Sequence, residues 1–143
     1  MPNEGSRSEV GGSIKGRERL ESSKTKAILC AREAAQLKAE DMVLLDVSTL
    51  SSFADYFVIC TGRSSRQVQG IADNLETSLG ERGLAPLGIE GRREGHWVLM
   101  DYGDVIIHIF YEPVRYFYDL ESLWADAKRV QWDAGMGGYE DRS

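Results

Sequence analysis

The segment Thr61-Gly62-Arg63-Ser64-Ser65-Arg66 gathers a glycine, hydroxyls and two guanidinium groups within six residues. Between a strand end and a helix start, such a turn could hold an anion on backbone N–H groups, with Arg63 and Arg66 adding charge. It lacks the Gly-x-x-x-x-Gly-Lys spacing of a phosphate-binding loop and the Gly-x-Gly-x-x-Gly of a dinucleotide site. The plainer reading is a capped helix with solvated arginines. Nucleotidyl transfer would need a Gly-Ser turn followed shortly by two strand-borne carboxylates to hold Mg²⁺. The acids after Gly62 are Asp73 and Glu76, both in a helical stretch, and Asp101 and Asp104 come later, around a turn. The required pair is missing, and no cofactor motif or metal-ligand spacing takes its place.

His108 lies between Ile107 and Ile109 in a strand-like run, and His96 lies in a loop beside Trp97. Without a nucleophilic Cys or Ser in an elbow motif, neither has a partner for acid–base work, so no catalytic residue is assigned. His108 reads instead as a buried or surface-binding histidine. Trp97 follows the glycine-bounded stretch Gly91 to Gly95, where a large amphipathic ring is easily half exposed; its spacing fits core packing and partner anchoring equally. Cys30 and Cys60 sit in apolar stretches without CxxC spacing, which points to buried free thiols.

The elements that must position these residues follow from periodicity. Ala27, Ile28, Ala31, Ala34 and Ala35 recur at helical spacing, predicting a helix over 22–38 with Ser22 or Ser23 as N-cap. Residues 42–47 and 55–61 read as buried strands. Ser64 and Gln67 have capping-box spacing, and Val68, Ile71, Ala72, Leu75 and Leu79 form a helical stripe ending at Gly80 or Gly83. A short strand over 86–90 and an exposed loop over 91–95 come next, then strands 97–102 and 105–111 joined at Gly103-Asp104. Residues 113–130 read as one helix, with Phe117, Leu120, Leu123 and Trp124 on one side. Alternating helices and strands in this order predict an α/β fold, one mixed sheet packed with helices.

The chain has 143 residues, 42% of them hydrophobic and 28% charged, which suits one globular domain with a real core. The expected organisation is a disordered extension over 1–19, a domain over 20–132 and a flexible Gly-rich tail over 133–143. Seventeen Lys and Arg against 23 Asp and Glu give a net charge of -6. That is the reverse of a nucleic-acid binder's footprint and suits a basic protein partner. No apolar run approaches the roughly 18–20 residues of a membrane span, and the polar N-terminus has no secretory h-region. A cytoplasmic protein without membrane or sequence-specific nucleic-acid contacts is expected.

Four segments carry a family resemblance: Asp55-Tyr56-Phe57-Val58-Ile59-Cys60-Thr61-Gly62-Arg63-Ser64-Ser65-Arg66-Gln67-Val68; Gly88-Ile89-Glu90-Gly91; the run from Trp97 through Asp101, Gly103 and Asp104 to His108 and Phe110; and the run from Arg115 to Trp124. In this order they resemble the ribosomal silencing factor, or Iojap-related, family over about residues 22 to 124. The resemblance implies a fold similar to nucleotidyltransferases but without their catalytic carboxylates, and no enzymatic activity. It implies binding to the large ribosomal subunit through that subunit's ribosomal protein fourteen, steric exclusion of the small subunit, and reduced translation when nutrients are short. The contact residues it implies are Glu90, Trp97, Leu99, Asp101, Asp104 and His108, with Glu90 and Trp97 the best matched. It is silent on residues 1–19 and on the tail after Trp132. Two rival readings stay open, a nucleotidyltransferase-like nucleotide-binding enzyme and a large-subunit assembly factor without silencing activity. The oligomeric state is also open, a homodimer included.

Overall fold

The structure is a computed structural model that describes residues 22–135. The expected disordered extension, and all but the first three residues of the expected tail, lie outside the described residues. Within them, helix α1 (22–36) leads to strands β1 (Glu40–Asp46) and β2 (Tyr56–Gly62), helix α2 (Ser65–Glu81) and strands β3 (Gly88–Glu90), β4 (Trp97–Asp101) and β5 (Val105–Tyr111). Two short helices, α3 (Glu112–Tyr118) and α4 (Leu120–Leu123), and a two-residue strand β6 (Lys128–Arg129) complete the order.

The strands form one mixed sheet in the order β3-β4-β5-β2-β1-β6. Only β2 and β5 run parallel. They are the central pair, and β2 is buried at all seven positions because both faces of the sheet are covered there. On one face, α1 and α2 pack over Leu44, Val58, Cys60, Val98, Met100, Ile107 and Ile109. Ala27, Cys30, Ala31 and Ala34 are fully buried, so the small side chains of α1 let its backbone lie close to the sheet. On the other face, a smaller cluster of Val43, Leu45, Phe57, Ile59 and Phe110 is covered by Val114, Leu120 and Trp124. That cover stops short of β4, whose burial alternates: Val98 and Met100 are enclosed, while Trp97, Leu99 and Asp101 are half open.

α2 matches its sequence signals at both ends. Ser64 Oγ accepts the Gln67 N–H at 3.0 Å, and Gln67 Oε1 accepts the Arg63 N–H at 2.6 Å. The reciprocal bond thus falls one residue ahead of the cap. At the other end, Leu84 and Gly83 donate to the carbonyls of Leu79 and Gly80, with Gly83 at φ +86°, a Schellman closure. Its buried stripe is Val68, Ile71, Ala72, Leu75 and Leu79, as expected.

Three expectations need correction. Ser23 is not an N-cap: it lies inside α1, fully buried, and its hydroxyl donates to the carboxylates of Asp55 and Asp104. The helix expected over 113–130 is broken at Asp119, which adopts a left-handed φ of 49° and accepts the Ser122 hydroxyl at 2.6 Å. The break lets the chain turn back, so that Leu120 and Trp124 pack on the sheet and 128–129 pair with β1. Consequently Phe117 and Leu123 are not on the buried side with them; they are 80% and 77% exposed. Finally, β3 is only three residues long, the strand character of 86–90 being confined to its second half.

Candidate functional site

Strand register decides which side chains share the partly open face. Glu90 pairs with Leu99, Leu99 with His108, and His108 with Ile59. Paired residues project to the same side of a sheet, so this row crosses four strands on one face. The neighbouring rows are Trp97-Phe110-Thr61 and Asp101-Ile106-Phe57. Five of the six sequence-predicted contact residues, Glu90, Trp97, Leu99, Asp101 and His108, therefore lie on one face of β3, β4 and β5. Alternation along β4 alone puts Trp97, Leu99 and Asp101 together; only the register adds Glu90 and His108.

Asp104 stands apart. In the turn after β4, its carboxylate meets Lys26 Nζ at 2.6 Å and the Ser23 hydroxyl, tying the turn to α1. Burial would raise the Asp104 carboxyl, but the hydrogen bonds from Lys26 and Ser23 and the Lys26 charge outweigh it and hold it below the usual range. Asp101 is half exposed and accepts the Gly103 N–H at 2.8 Å, closing the same turn from the other side.

Trp97 is neither fully buried nor free: part of its ring is packed and part is open. Its ring packs on Phe110 at a 30° tilt with centroids 4.8 Å apart, and Tyr118 of α3 lies 4.9 Å away. Trp97 also lines a cavity of about 430 Å³ with Glu94, His96, Val114, Phe117 and Tyr118. His108 is 5% exposed, and desolvation pushes its imidazole down to about 4. It is therefore neutral at physiological pH. Its Nδ1 accepts the indole N–H of Trp97 at 3.1 Å.

The loop over 91–95 is pinned rather than free. Gln69 Nε2 donates to the carbonyls of Arg92 and Arg93, and the Arg92 guanidinium meets Asp73 and Glu76, both at 3.0 Å. Gly91 has a φ of +82°, and a Cβ there would lie 2.0 Å from the Trp97 carbonyl oxygen. Glycine is what allows the loop to pass this close to the start of β4.

Phe117 and Tyr118 were missed as site residues because a single helix over 113–130 placed Phe117 inside. The run Tyr116-Phe117-Tyr118 was the available signal: three successive aromatics on a helix cannot all face one core. All three are exposed, at 75%, 80% and 54%.

In the turn after Gly62, capping engages the Arg63 and Gln67 N–H groups, and the Arg63 guanidinium pairs with Glu40 at 2.9 Å. Burial raises the Cys30 and Cys60 thiols to about 12, so neither is a thiolate at neutral pH. Among the described residues, no group of three or more His, Cys, Asp or Glu is placed to hold a metal ion. No helix among them is long and apolar enough to cross a membrane.

Residues 20–142 match the family model described as "Ribosomal silencing factor during starvation". The ribosomal silencing factor of Bacillus subtilis is 44% identical over 99 residues, spanning 69% of this chain and 84% of that protein. Among solved structures, a Chromobacterium violaceum protein superposes with a TM-score of 0.65 at 34% identity, covering 78% of this chain and 90% of its own. A Bacillus halodurans protein gives 0.64 at 38% identity, covering 72% and 93%.

Proposed function

The chain belongs to the ribosomal silencing factor family, and from that premise we propose that it represses translation by docking the open face of β3, β4 and β5 on the large ribosomal subunit. Ribosome-associated translation regulation is the family's role. The finer reading is that the docking partner is ribosomal protein fourteen of the large subunit and that the bound protein sterically bars the small subunit. It acts in the cytoplasm when nutrients are limiting, without catalysis or cofactor. Residues 20–132 carry the activity, and deleting residues 1–19 leaves folding and subunit binding intact.

The observation that carries this reading is the register. It gathers Glu90, Trp97, Leu99 and Asp101 on a stretch of sheet that the helices leave partly open. Trp97 supplies the kind of aromatic anchor that dominates protein interfaces. The net charge of -6 steers the domain toward a basic ribosomal protein and away from rRNA phosphate. A barrier to joining needs only occupancy of a surface, which suits a site with a cavity and anchors but no paired catalytic groups.

Sucrose-gradient sedimentation of purified subunits with and without the protein tests both parts together. The expected result is co-sedimentation with large subunits and a lower yield of joined ribosomes. Co-sedimentation with unchanged joining at saturating protein would leave an assembly role and remove the silencing one. Failure to co-sediment would remove both.

A further inference from the structure

Trp97 and His108 lie on neighbouring strands, one register pair apart on the same face, with Trp97 opposite Phe110 and His108 opposite Leu99. The indole Nε1–H donates to His108 Nδ1 at 3.1 Å. An imidazole nitrogen that accepts carries no proton, so the neutral ring holds its proton on Nε2. That Nε2 is buried without a hydrogen-bond partner. Phe57 meets the ring edge-on at 4.9 Å and Phe110 stacks beside it at 6.3 Å. At 5% exposure, His108 itself cannot reach a docked surface.

A histidine serving packing alone is a poor fit here, because its bare Nε2–H carries a desolvation penalty that a hydrocarbon side chain would avoid. The one thing it does that Leu or Phe cannot is accept the Trp97 N–H. We infer that His108 is a positioning residue: it locks the Trp97 indole against Phe110 with its N–H turned inward, so that a docked partner meets a pre-oriented carbon surface and not a hydrogen-bond donor. Fixing the ring beforehand removes the rotamer entropy that binding would otherwise have to overcome. This rests on the reading that this face binds the large subunit.

Three His108 substitutions and one at Trp97 test it. His108→Asn keeps an acceptor near the Nδ1 position, His108→Gln moves the amide away from it, and His108→Leu removes both the acceptor and the bare N–H. Each is assayed for melting temperature, for large-subunit affinity, and for exchange of the Trp97 indole N–H by NMR, that resonance being identified by its loss in Trp97→Phe. The expected result is slow indole exchange and near-normal affinity in His108→Asn. His108→Gln and His108→Leu should show fast exchange and about tenfold weaker binding, with His108→Leu melting no lower than His108→Asn. In the Trp97→Phe background, where there is no N–H to hold, His108→Leu should change affinity by less than about twofold.

Affinity that follows melting temperature across the three variants, or unchanged binding by a His108→Leu protein whose indole exchanges fast, overturns the inference and leaves the docking face standing. If the wild-type protein itself does not sediment with large subunits, the docking reading falls first and this inference with it.

Discussion

Arg115 in α3 grips Glu121 in α4 at two points, Nε to Oε1 at 3.1 Å and Nη2 to Oε2 at 2.9 Å, across the left-handed break at Asp119. Its remaining nitrogen, Nη1, donates to the Asp41 carbonyl and the Thr61 hydroxyl, both at 2.6 Å. One nearly buried guanidinium therefore joins the turn that ends α3 to the facing ends of β1 and β2. Arg115→Ala removes four donor contacts at once and leaves the Glu121 carboxylate unpaired, so an expected loss of about 3 kcal/mol or more follows. Arg115→Lys should not restore it, since a single ammonium cannot reproduce the two-point geometry. Urea unfolding of both variants checks this, and a loss under 1 kcal/mol for Arg115→Ala would show that the pair contributes little.

That network also explains what the sequence could not show. α2 was readable to its caps because its signals are local: Ser64 and Gln67 at one end, Gly83 at the other, and an uninterrupted stripe between. Beside the break at Asp119, Arg115 meets Asp41 and Thr61, residues 74 and 54 positions away, contacts that no periodicity of the segment records. The site divides in the same way. The alternation of Trp97, Leu99 and Asp101 was legible along a single strand, whereas the burial of His108 and the engagement of Asp104 with α1 come from pairings between distant segments.

His108 sets a pH dependence. Its folded-state value of about 4 lies below the ordinary 6.5, so the unfolded chain binds the proton more readily. The neutral ring's contribution is fully present above about pH 6.5 and is lost progressively as pH falls toward 4, by an amount on the order of 3 kcal/mol. Chemical denaturation of wild type and His108→Asn across this range isolates it from the carboxylates common to both. Parallel stability curves for the two proteins would refute it.

Asp104 separates stability from docking. Its carboxylate is engaged with Lys26 and Ser23 behind the β4–β5 turn, so Asp104→Ala should lower stability by about 1 kcal/mol. Its contribution is present above the ordinary carboxylate value and fades as pH falls below it, because the folded-state value is depressed. Large-subunit affinity of the folded mutant is expected to stay within about twofold of wild type. A tenfold loss of affinity with an unchanged melting temperature would instead return Asp104 to the docking face.

Trp97 carries the strongest expectation because its ring is packed on one side and open on the other. Packed on Phe110 and flanked by Tyr118, it contributes to the smaller core, yet it remains half open and lines the cavity beside Glu94 and Phe117. Fully buried tryptophans cost roughly 3–5 kcal/mol on truncation; a half-buried one held by two ring contacts should cost about 2. Trp97→Ala is therefore expected to melt lower but still fold. If the ring also anchors the subunit, the folded mutant should bind at least about tenfold more weakly, since central aromatic anchors are worth roughly 2 kcal/mol or more. Leu99→Ala serves as the control, because it removes apolar area from the same face without touching the indole. Calorimetry and gradient sedimentation of the two mutants separate the effects. A Trp97→Ala protein that melts lower yet binds as wild type does would confine Trp97 to the core and move the docking contacts to Glu90, Leu99 and Asp101.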